Sequence, residues 1–331
     1  MAKKKYYPPK NYKKKRKNKL RKRQHHYRVS NWAQYNRALI QRGAITLWIA
    51  EEDRVAWRAE ATGERGRQRV YSDAAIQCLL TVRAIYHLTL RATQGLAQSF
   101  FAQGALDLPV PDYSTLCRRS AHLRVQLPRQ ARGPLHLLLD SSGFKICGEG
   151  EWKTRTHGKR KRRTWREFHL SLDLGSREIQ AVTLCPAGSS EEQQVAHLLP
   201  VDAEIEQVTA DGAYDRRPAY DALMARGIQH IAIPPRRDAK IWQHGNCKAP
   251  PHPRDENLRR IRQIGRKRWK KAIGYHHRSL VETTIYRIKT IFGSSLRSRL
   301  LPQQTTETRI RCLALNRMTR LGMPMSYRIP A

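Results

Sequence analysis

Residues 274–289 read Gly-Tyr-His-His-Arg-Ser-Leu-Val-Glu-Thr-Thr-Ile-Tyr-Arg-Ile-Lys, and this stretch predicts an amphipathic helix. At about 100° per residue, one side of the helix gathers four polar side chains within roughly 60° of one another. These four residues are Tyr275, Arg278, Glu282 and Lys289. The other side gathers aliphatic residues, namely Leu280, Val281, Ile285, Ile288 and Ile291. The aliphatic side predicts packing on a core, which leaves a phenol, a guanidinium, a carboxylate and an ammonium in a row.

A second interpretation of the same stretch is the N-terminus of a helix. Ser279 and Glu282 stand at the spacing of a capping box, in which the glutamate side chain returns to the serine amide. A helix that begins at Ser279 leaves Tyr275 and Arg278 outside it. Glu282 then has a structural role, and the local pattern leaves both interpretations open.

The charge of the chain indicates a polyanionic partner. The 331 residues carry a formal net charge of +37, and 40% of them are hydrophobic, which allows a sizeable core in about two domains. Such a protein most simply binds nucleic acid, either as an enzyme or as a basic ribosomal or RNA-binding protein. No run of about 18 apolar residues predicts a membrane span, and the basic N-terminus lacks the apolar segment of a signal peptide. The six cysteines are scattered without a CxxC pair, a pattern typical of reduced thiols in a cytoplasmic protein.

Residues 1–28 form a strongly basic tail, with 14 Lys and Arg and no acidic residue. Like charges repel one another and such a segment buries little apolar surface, so we expect the tail to be disordered. It either binds DNA phosphates as an arm or is a solvated tail.

Residues 29–132 show helical rather than strand patterns. Four polar residues precede apolar-periodic segments and are predicted N-caps. They are Asn31, Ser72, Thr89 and Asp112. This helical region is either a plain scaffold or a DNA-binding domain, and a helix-turn-helix in it would have a long turn. Arg118 and Arg119 in its last helix are candidate contacts to DNA phosphates or base edges.

From residue 133 the pattern changes to strands alternating with helices. Leu135–Leu139 is an apolar run typical of a buried central strand, and it ends at Asp140. The further predicted order is strand 166–174, strand 178–184, helix 190–199, strand 205–210, helix 217–226 and strand 230–233. This is the order of a ribonuclease-H-like fold. Asp211 follows a strand as Asp140 does, so a sheet edge would present both carboxylates, unless each is an ordinary turn aspartate.

Two other acids in this region are assigned structural roles. Asp173 precedes the turn at 174–176, where a carboxylate commonly binds turn amides. Asp215 is the predicted N-cap of the helix at 217–226, and support of a metal ligand is its alternative role.

Two basic segments interrupt this core. The loop at 153–163 contains Lys159 and Arg160, and it either contacts the DNA backbone or is a solvated hairpin loop. Residues 237–274 form an insertion in which Arg268 is a candidate DNA contact. Trp269 in the insertion is a candidate for stacking on a displaced base, and packing in the interior is its alternative role.

The C-terminal segment, residues 301–331, is predicted to contain a helix over 308–321. Its apolar residues recur at helical spacing. We expect this helix to pack on the core or on a second subunit.

The spacing Tyr-(2)-Arg-(3)-Glu-(6)-Lys in residues 275–289 resembles the signature around the last catalytic acid of bacterial insertion-sequence DDE transposases. Asp140 in Leu-Leu-Leu-Asp-Ser-Ser-Gly-Phe and Asp211 in Ala-Asp-Gly-Ala-Tyr-Asp look like the first two acids of that family. The insertion-sequence-five family looks most similar, also through Gly-Glu-Gly-Glu-Trp-Lys at 148–153 and Leu-Gly-Met-Pro at 321–324. The similarity covers about residues 30–328 and leaves the basic tail unmatched.

The resemblance implies an α/β fold with a ribonuclease-H-like catalytic core, a mixed sheet flanked by helices. The core would comprise 133–236 and 275–300. It also implies three catalytic acids that hold two Mg²⁺ ions, or Mn²⁺ ions in their place: Asp140, Asp211 and Glu282. Carboxylates suit such hard ions, which together can activate a water and stabilise a leaving oxygen. The resemblance further implies that Tyr275, Arg278 and Lys289 of this chain bind the DNA.

The implied function is a DNA transposase that cleaves the ends of its own insertion sequence and joins the 3′-hydroxyls to target DNA. Its partners would be the terminal inverted repeats, the target DNA and a second copy of the chain, in a homodimer on paired ends. It would work in the bacterial cytoplasm at the nucleoid. Two other functions stay open: a ribonuclease-H-like nuclease, and a non-catalytic basic nucleic-acid-binding protein whose acids are structural.

Overall fold

A computed structural model of the chain describes residues 27–61, 63, 68–129, 133–146, 165–243, 248 and 250–329. The tail up to residue 26, the motif at 148–153, Lys159 and Arg160 lie outside these residues. The chain divides into two compact units, one formed by Met1–Ala44 with Arg320–Ala331 and the other by Ile45–Thr319. Within the described residues, no helix is long and apolar enough to cross a membrane.

The smaller unit joins the two ends of the described chain. Strand β1 (Tyr27–Val29) pairs antiparallel with β8 (Ser326–Arg328). Helix α1 (Trp32–Gln41) follows β1. Asn31 stands at the predicted N-cap position, but its side chain bonds the backbone of 323–325 instead of the first helical turn, so the expected capping bond is not formed. Tyr27 and Arg28, predicted to belong to the disordered tail, are part of a strand. A local sequence pattern could not predict this strand, because its partner strand lies about 300 residues further along the chain.

The N-terminal part of the larger unit is helical, as predicted. Its described helices are α2 (Ile45–Trp48), α3 (Glu51–Val55), α4 (Asp73–Ile85), α5 (Leu90–Gln103) and α6 (Tyr113–Ser120). Three predicted N-caps are confirmed: the side chains of Ser72, Thr89 and Asp112 each accept a hydrogen bond from a backbone amide in the first helical turn. Trp48 and Trp57 are fully buried at the centre of this region.

A mixed sheet forms the rest of the larger unit, in the order β4-β3-β2-β5-β6 with β7 paired to β2. The strands are β2 (Leu135–Ile146), β3 (Trp165–Asp173), β4 (Ile179–Pro186), β5 (Ile205–Thr209), β6 (His230–Ala232) and β7 (Ser295–Leu296). β2, β3 and β4 are antiparallel neighbours, whereas β5 and β6 run parallel to β2. The mixed sheet and its order of elements agree with the predicted ribonuclease-H-like core.

Helices cover both faces of this sheet. They are α7 (Glu191–Gln194), continued by a 3₁₀ turn at Val195–Leu198, α8 (Arg217–Ala225), α9 (Pro253–Ile264), α10 (Arg266–Ala272), α11 (Ser279–Phe292) and α12 (Leu301–Leu321). Leu137 and Leu139 of β2 pack with the 3₁₀ turn and α8, and Leu138 and Phe144 pack with α11 and α12. Successive strand residues point to opposite faces, which explains this division. Helix α12 begins earlier than residue 308, the predicted start, and packs on the core as expected.

Strand β2 continues well past Asp140, which corrects the predicted strand end. β3 pairs with β2 from Leu137 to Lys145 and keeps the β2 backbone extended. On the other edge, β5 pairs with β2 only as far as Leu138, and β7 pairs with it only from Lys145. Asp140 therefore lies beside a gap between two described strands, where its neighbourhood is open to other elements.

Candidate active site

Asp140 lies on the face of the sheet that α11 covers. Strand alternation places its side chain on the same face as Leu138 and Phe144, which pack with that helix. The side chain of Asp140 is only 12% exposed. Burial raises the pKa of Asp140, and the positive charge of Arg278 acts against that rise. A carboxylate so withdrawn from water needs a nearby cation to stay ionised.

Asp211 leaves the sheet beside the same gap. The last residue of β5, Thr209, pairs with Leu138 of β2, and the chain then turns away from the sheet. Asp211 caps the short 3₁₀ turn Gly212–Tyr214, where its Oδ1 accepts a hydrogen bond from the Ala213 amide at 2.8 Å. This bond orients the carboxylate and leaves Oδ2 for other partners.

Glu282 lies in the first turn of α11, directly after a 3₁₀ turn at Tyr275–Arg278. The capping-box interpretation is wrong, because no side chain caps this helix and the Ser279 hydroxyl donates to the carbonyl of His276. A single α-helix from Tyr275 is not formed either. The side chain of Glu282 is 56% exposed, and its Oε1 lies 3.1 Å from Nη2 of Arg278.

One guanidinium nitrogen of Arg278 contacts all three predicted acids. Nη2 lies 3.3 Å from Oδ1 of Asp140 and 3.8 Å from Oδ2 of Asp211, in addition to its contact with Glu282. Burial tends to lower the pKa of Arg278, but Asp140, Tyr275 and Asp211 outweigh it, and the pKa is raised. The structure thus brings together carboxylates that come from three separate stretches of the sequence.

Lys289 and Tyr275 extend this cluster along the same side of the stretch at 274–289. Nζ of Lys289 donates to the hydroxyl of Ser142 at 2.6 Å, and burial lowers the pKa of this lysine. Nζ of Lys270 lies 4.4 Å from the centroid of the Tyr275 ring, and burial raises the pKa of the tyrosine. The three carboxylates are therefore bordered by cationic and phenolic side chains.

Glu191 is a fourth carboxylate beside the cluster, and it was not among the predicted site residues. Its Oε1 accepts a hydrogen bond at 2.6 Å from the hydroxyl of Ser141, the residue after Asp140. Burial raises the pKa of Glu191, and the charges of Asp211 and Asp140 raise it further. Its Oε2 is buried without a hydrogen-bond partner among the described residues. The sequence signal for it was an acid at a helix start, which is common at any helix N-terminus.

Asp173 and Asp215 take part in structural bonds outside this cluster. Oδ2 of Asp173 accepts hydrogen bonds from the amide and the hydroxyl of Ser176, which confirms its predicted turn role. Asp215 is not the N-cap of α8, a position that Arg216 takes, so that prediction is wrong. Its carboxylate is instead buried against the guanidinium of Arg254 in the insertion.

The other predicted DNA contacts differ in their surroundings. Arg118 and Arg268 are exposed. Arg119 donates to the carboxylate of Asp73, which ties α6 to the start of α4. Trp269 is fully buried, and its ring nitrogen donates a hydrogen bond within the insertion. A base cannot stack on a ring packed in this way, so we correct the assignment of Trp269 from DNA contact to interior packing.

The donor set of the cluster suits a hard divalent cation. Magnesium prefers carboxylate oxygens, and Asp140, Asp211 and Glu282 supply them without cysteine. In the described part of the chain, however, no group of three His, Cys, Asp or Glu side chains is arranged to hold a metal ion. The guanidinium of Arg278 stands between the three acids and serves as a stand-in cation. The three carboxylates are thus the kind of donor that such an ion takes, and in this structure the cation among them is the guanidinium of Arg278.

A ribonuclease-H-like sheet with clustered carboxylates on a strongly basic chain defines a class of enzymes that act on nucleic acid. The family of the transposase DDE domain matches residues 131–317, more than half of the chain, and a second family with the same description matches residues 40–149. The chain belongs to the DDE transposase family. The predicted resemblance is confirmed at this level, and the narrower insertion-sequence-five assignment stays a prediction.

Proposed function

We propose that this transposase cleaves DNA at the ends of its own insertion sequence and joins the 3′-hydroxyls to target DNA. The observation that carries the proposal is the convergence of Asp140, Asp211 and Glu282 on one nitrogen of Arg278. Three carboxylates repel one another at such range, so gathering them costs stability. Phosphoryl transfer with two metal ions is a function that requires this arrangement.

Two Mg²⁺ ions, or Mn²⁺ in their place, are the proposed cofactors. Asp140, which lies on the central strand and is the least exposed of the three acids, would be a ligand of both ions. Asp211 and Glu282 would each complete the ligands of one ion. Ions held there would activate the attacking oxygen and stabilise the leaving one. The protein itself positions the carboxylates, on a strand, on a capped turn and on a helix.

The DNA backbone is proposed to run along the cationic side of the 3₁₀ turn at Tyr275–Arg278 and of α11. Lys289, Arg278 and Tyr275 would bind it close to the acids, and the exposed Arg118 and Arg268 further away. Lys159 and Arg160 are proposed for the same role. The DNA would be the terminal inverted repeats and the target, bound by a homodimer on paired ends at the bacterial nucleoid.

Asp140→Asn, Asp211→Asn and Glu282→Gln test the proposed site, because each removes a charge and keeps the shape. Each variant should lose both cleavage and joining of a labelled end fragment. Binding to that fragment should persist or tighten, since a less negative site repels phosphate less. The double and triple variants should lose little more than the single ones, because the acids act as one unit.

Asp173→Asn is the matched control, because asparagine retains an oxygen for the turn at Ser176. It should keep most of the activity. Thermal melting is measured alongside, and a loss of stability without a loss of chemistry would favour the non-catalytic protein. If Glu282→Gln cleaves as well as the parent, the assignment of Glu282 is wrong. Cleavage without any joining would favour the nuclease.

Removal of divalent ions tests the proposed cofactors. Excess chelator should stop strand cleavage, and added Mg²⁺ or Mn²⁺ should restore it, because the acids bind hard ions. Full cleavage of the end fragment in chelator would contradict a two-metal site.

A further inference from the structure

We infer that Arg278 is an internal counter-ion, which occupies the carboxylate cluster while divalent ions are absent and leaves it for the DNA backbone when they bind. The inference rests on the proposed function, and it adds that Arg278 and the metal ions compete for the same three oxygens. The contacts that carry it are those of Nη2 with Asp140, Asp211 and Glu282.

The charges of the cluster explain why a guanidinium belongs there. The side chain of Arg278 is 19% exposed and that of Asp140 is 12% exposed, so water screens their interaction less than that of surface ion pairs. One guanidinium offsets one of three negative charges. The cluster stays net negative with Arg278 in place, and it still attracts divalent cations.

The geometry makes Arg278 and metal ions mutually exclusive. Magnesium needs its carboxylate oxygens at about 2.0–2.1 Å, much closer than the 3.1–3.8 Å that separate Nη2 from the three acids. A divalent ion among these oxygens would lie beside the guanidinium, where like charges repel strongly. Arg278 must therefore move away as the oxygens become metal ligands.

The bonds of Arg278 allow that movement. Its Nε is buried without a hydrogen-bond partner among the described residues, so the acids hold the guanidinium mainly through Nη2. Tyr275 also forms a hydrogen bond with Arg278, from the side of the cluster that Lys270 borders. A guanidinium displaced from the acids stays on this cationic side, where its donors match the oxygens of a DNA phosphate.

Titration of the full-length protein with MnCl₂ by calorimetry, in the absence of DNA, tests the competition. Arg278→Met removes the charge and keeps much of the length, whereas Arg278→Lys keeps the charge. We expect Arg278→Met to bind Mn²⁺ about tenfold more tightly than the parent, because a unit charge near the site no longer opposes the ion. Arg278→Lys should bind Mn²⁺ with nearly the affinity of the parent.

Melting temperatures provide a second readout. In chelator, Arg278→Met should melt below the parent, because its three acids are left without their cation, and Mn²⁺ should remove most of that difference. If Arg278→Met does not fold in chelator, Arg278→Gln gives the same titration with a side chain that can still hydrogen-bond a carboxylate. Lys289→Met is the matched control, because it removes a cation of α11 that contacts Ser142 rather than the acids. Its effect on Mn²⁺ affinity should be smaller.

An Arg278→Met protein that binds Mn²⁺ as weakly as the parent, or more weakly, would overturn the inference, because Arg278 would then support the metal site instead of competing for it. Such a result would leave the proposed function in place, provided that the variants of the three acids still lose cleavage. A failure of the proposed function would show as full cleavage by the variants of the three acids, whatever the titration of Arg278→Met gives.

Discussion

At the scale of single residues, the carboxylate of Glu191 is unfavourable in its ionised form, because it is buried close to other acids. The groups that shift the pKa of its carboxyl, besides burial, are Ser141, Asp211, Asp140 and Glu167. Only Ser141 among these offers a hydrogen bond, and the three acids raise the pKa that burial has already raised. Ionised Glu191 therefore costs stability in the folded protein.

Glu191→Gln should stabilise the folded protein at neutral pH in chelator, raising the melting temperature by about 1–3 °C. The gain should be absent below about pH 4, because glutamate is then protonated in both states. Above that pH the unfolded chain ionises first, so the parent loses stability as pH rises toward the higher folded-state pKa, while the glutamine variant does not. Melting curves at several pH values measure the difference.

Glu192→Gln is the control for this effect. Glu192 is the next residue of α7, and its Oε1 lies 3.8 Å from the guanidinium of Arg216. Removing its charge should give no pH-dependent gain. Equal pH profiles for the two variants would show that the cluster of acids does not affect Glu191.

At the scale of elements, a buried ion pair attaches the insertion to the loop after Asp211. Nε of Arg254 on α9 lies 2.7 Å from Oδ1 of Asp215, and the two side chains are 5% and 1% exposed. Arg254 also donates to the carbonyl of Lys240, and the Arg236 amide donates to Asp215. Asp215 is four residues after Asp211, a proposed metal ligand. The ion pair therefore links the position of the insertion to that of Asp211.

Arg254→Met should destabilise the protein by about 3–5 kcal/mol, because it leaves the carboxylate of Asp215 buried and unpaired. Combining it with Asp215→Asn should restore part of the loss, since neither partner then carries a charge. Thermal melting of the single and double variants measures this coupling. Arg260→Met is the control, because Arg260 is an exposed residue of the same helix. Additive losses in the double variant would show that the pair contributes no coupling energy.

At the scale of the whole molecule, the net charge of +37 is spread over both ends and the interior of the chain. One hydrophobic cluster runs from the helical region, through Trp48 and Leu116, to Phe144 of the sheet and Ile285 of α11. Residues of the predicted helical and catalytic regions therefore share a core in the larger unit.

Because β1 begins at Tyr27, a truncation that tests the tail should end before that strand.

Deletion of residues 2–26, which contain 13 Lys and Arg, should weaken DNA binding without changing sequence preference. Each lost phosphate contact should reduce the log–log salt slope by about 0.9. Binding to end fragments and unrelated DNA over a salt series measures both effects. A tail of the same length with glutamine at the 13 basic positions should behave like the deletion. An unchanged slope would show that the tail does not contact DNA.

The sequence by itself determined the class of fold and singled out Asp140, Asp211 and Glu282 as candidate site residues. The N-caps at Ser72, Thr89 and Asp112, the order of strands and helices and the apolar side of α11 all follow from local patterns. The periods of 3.6 and 2 residues follow from the backbone geometry of helices and strands. Such patterns, like the N-caps, can be recognised from residues that are close together in the sequence. The spacing around Glu282 added the family, since its four residue types at fixed spacings lie along one stretch of chain.

The tertiary structure alone decided how those residues meet. It placed Arg278 between the acids, brought Glu191 to the residue after Asp140, buried Trp269 and joined Asp215 to Arg254. It also extended β2 past Asp140, because β3 continues to pair with it where β5 has ended. These outcomes depend on contacts between residues far apart in the chain, and on charges and burial that exist only after folding. Their local sequence patterns are those of ordinary caps, turns and surface cations, and for that reason the sequence did not distinguish them.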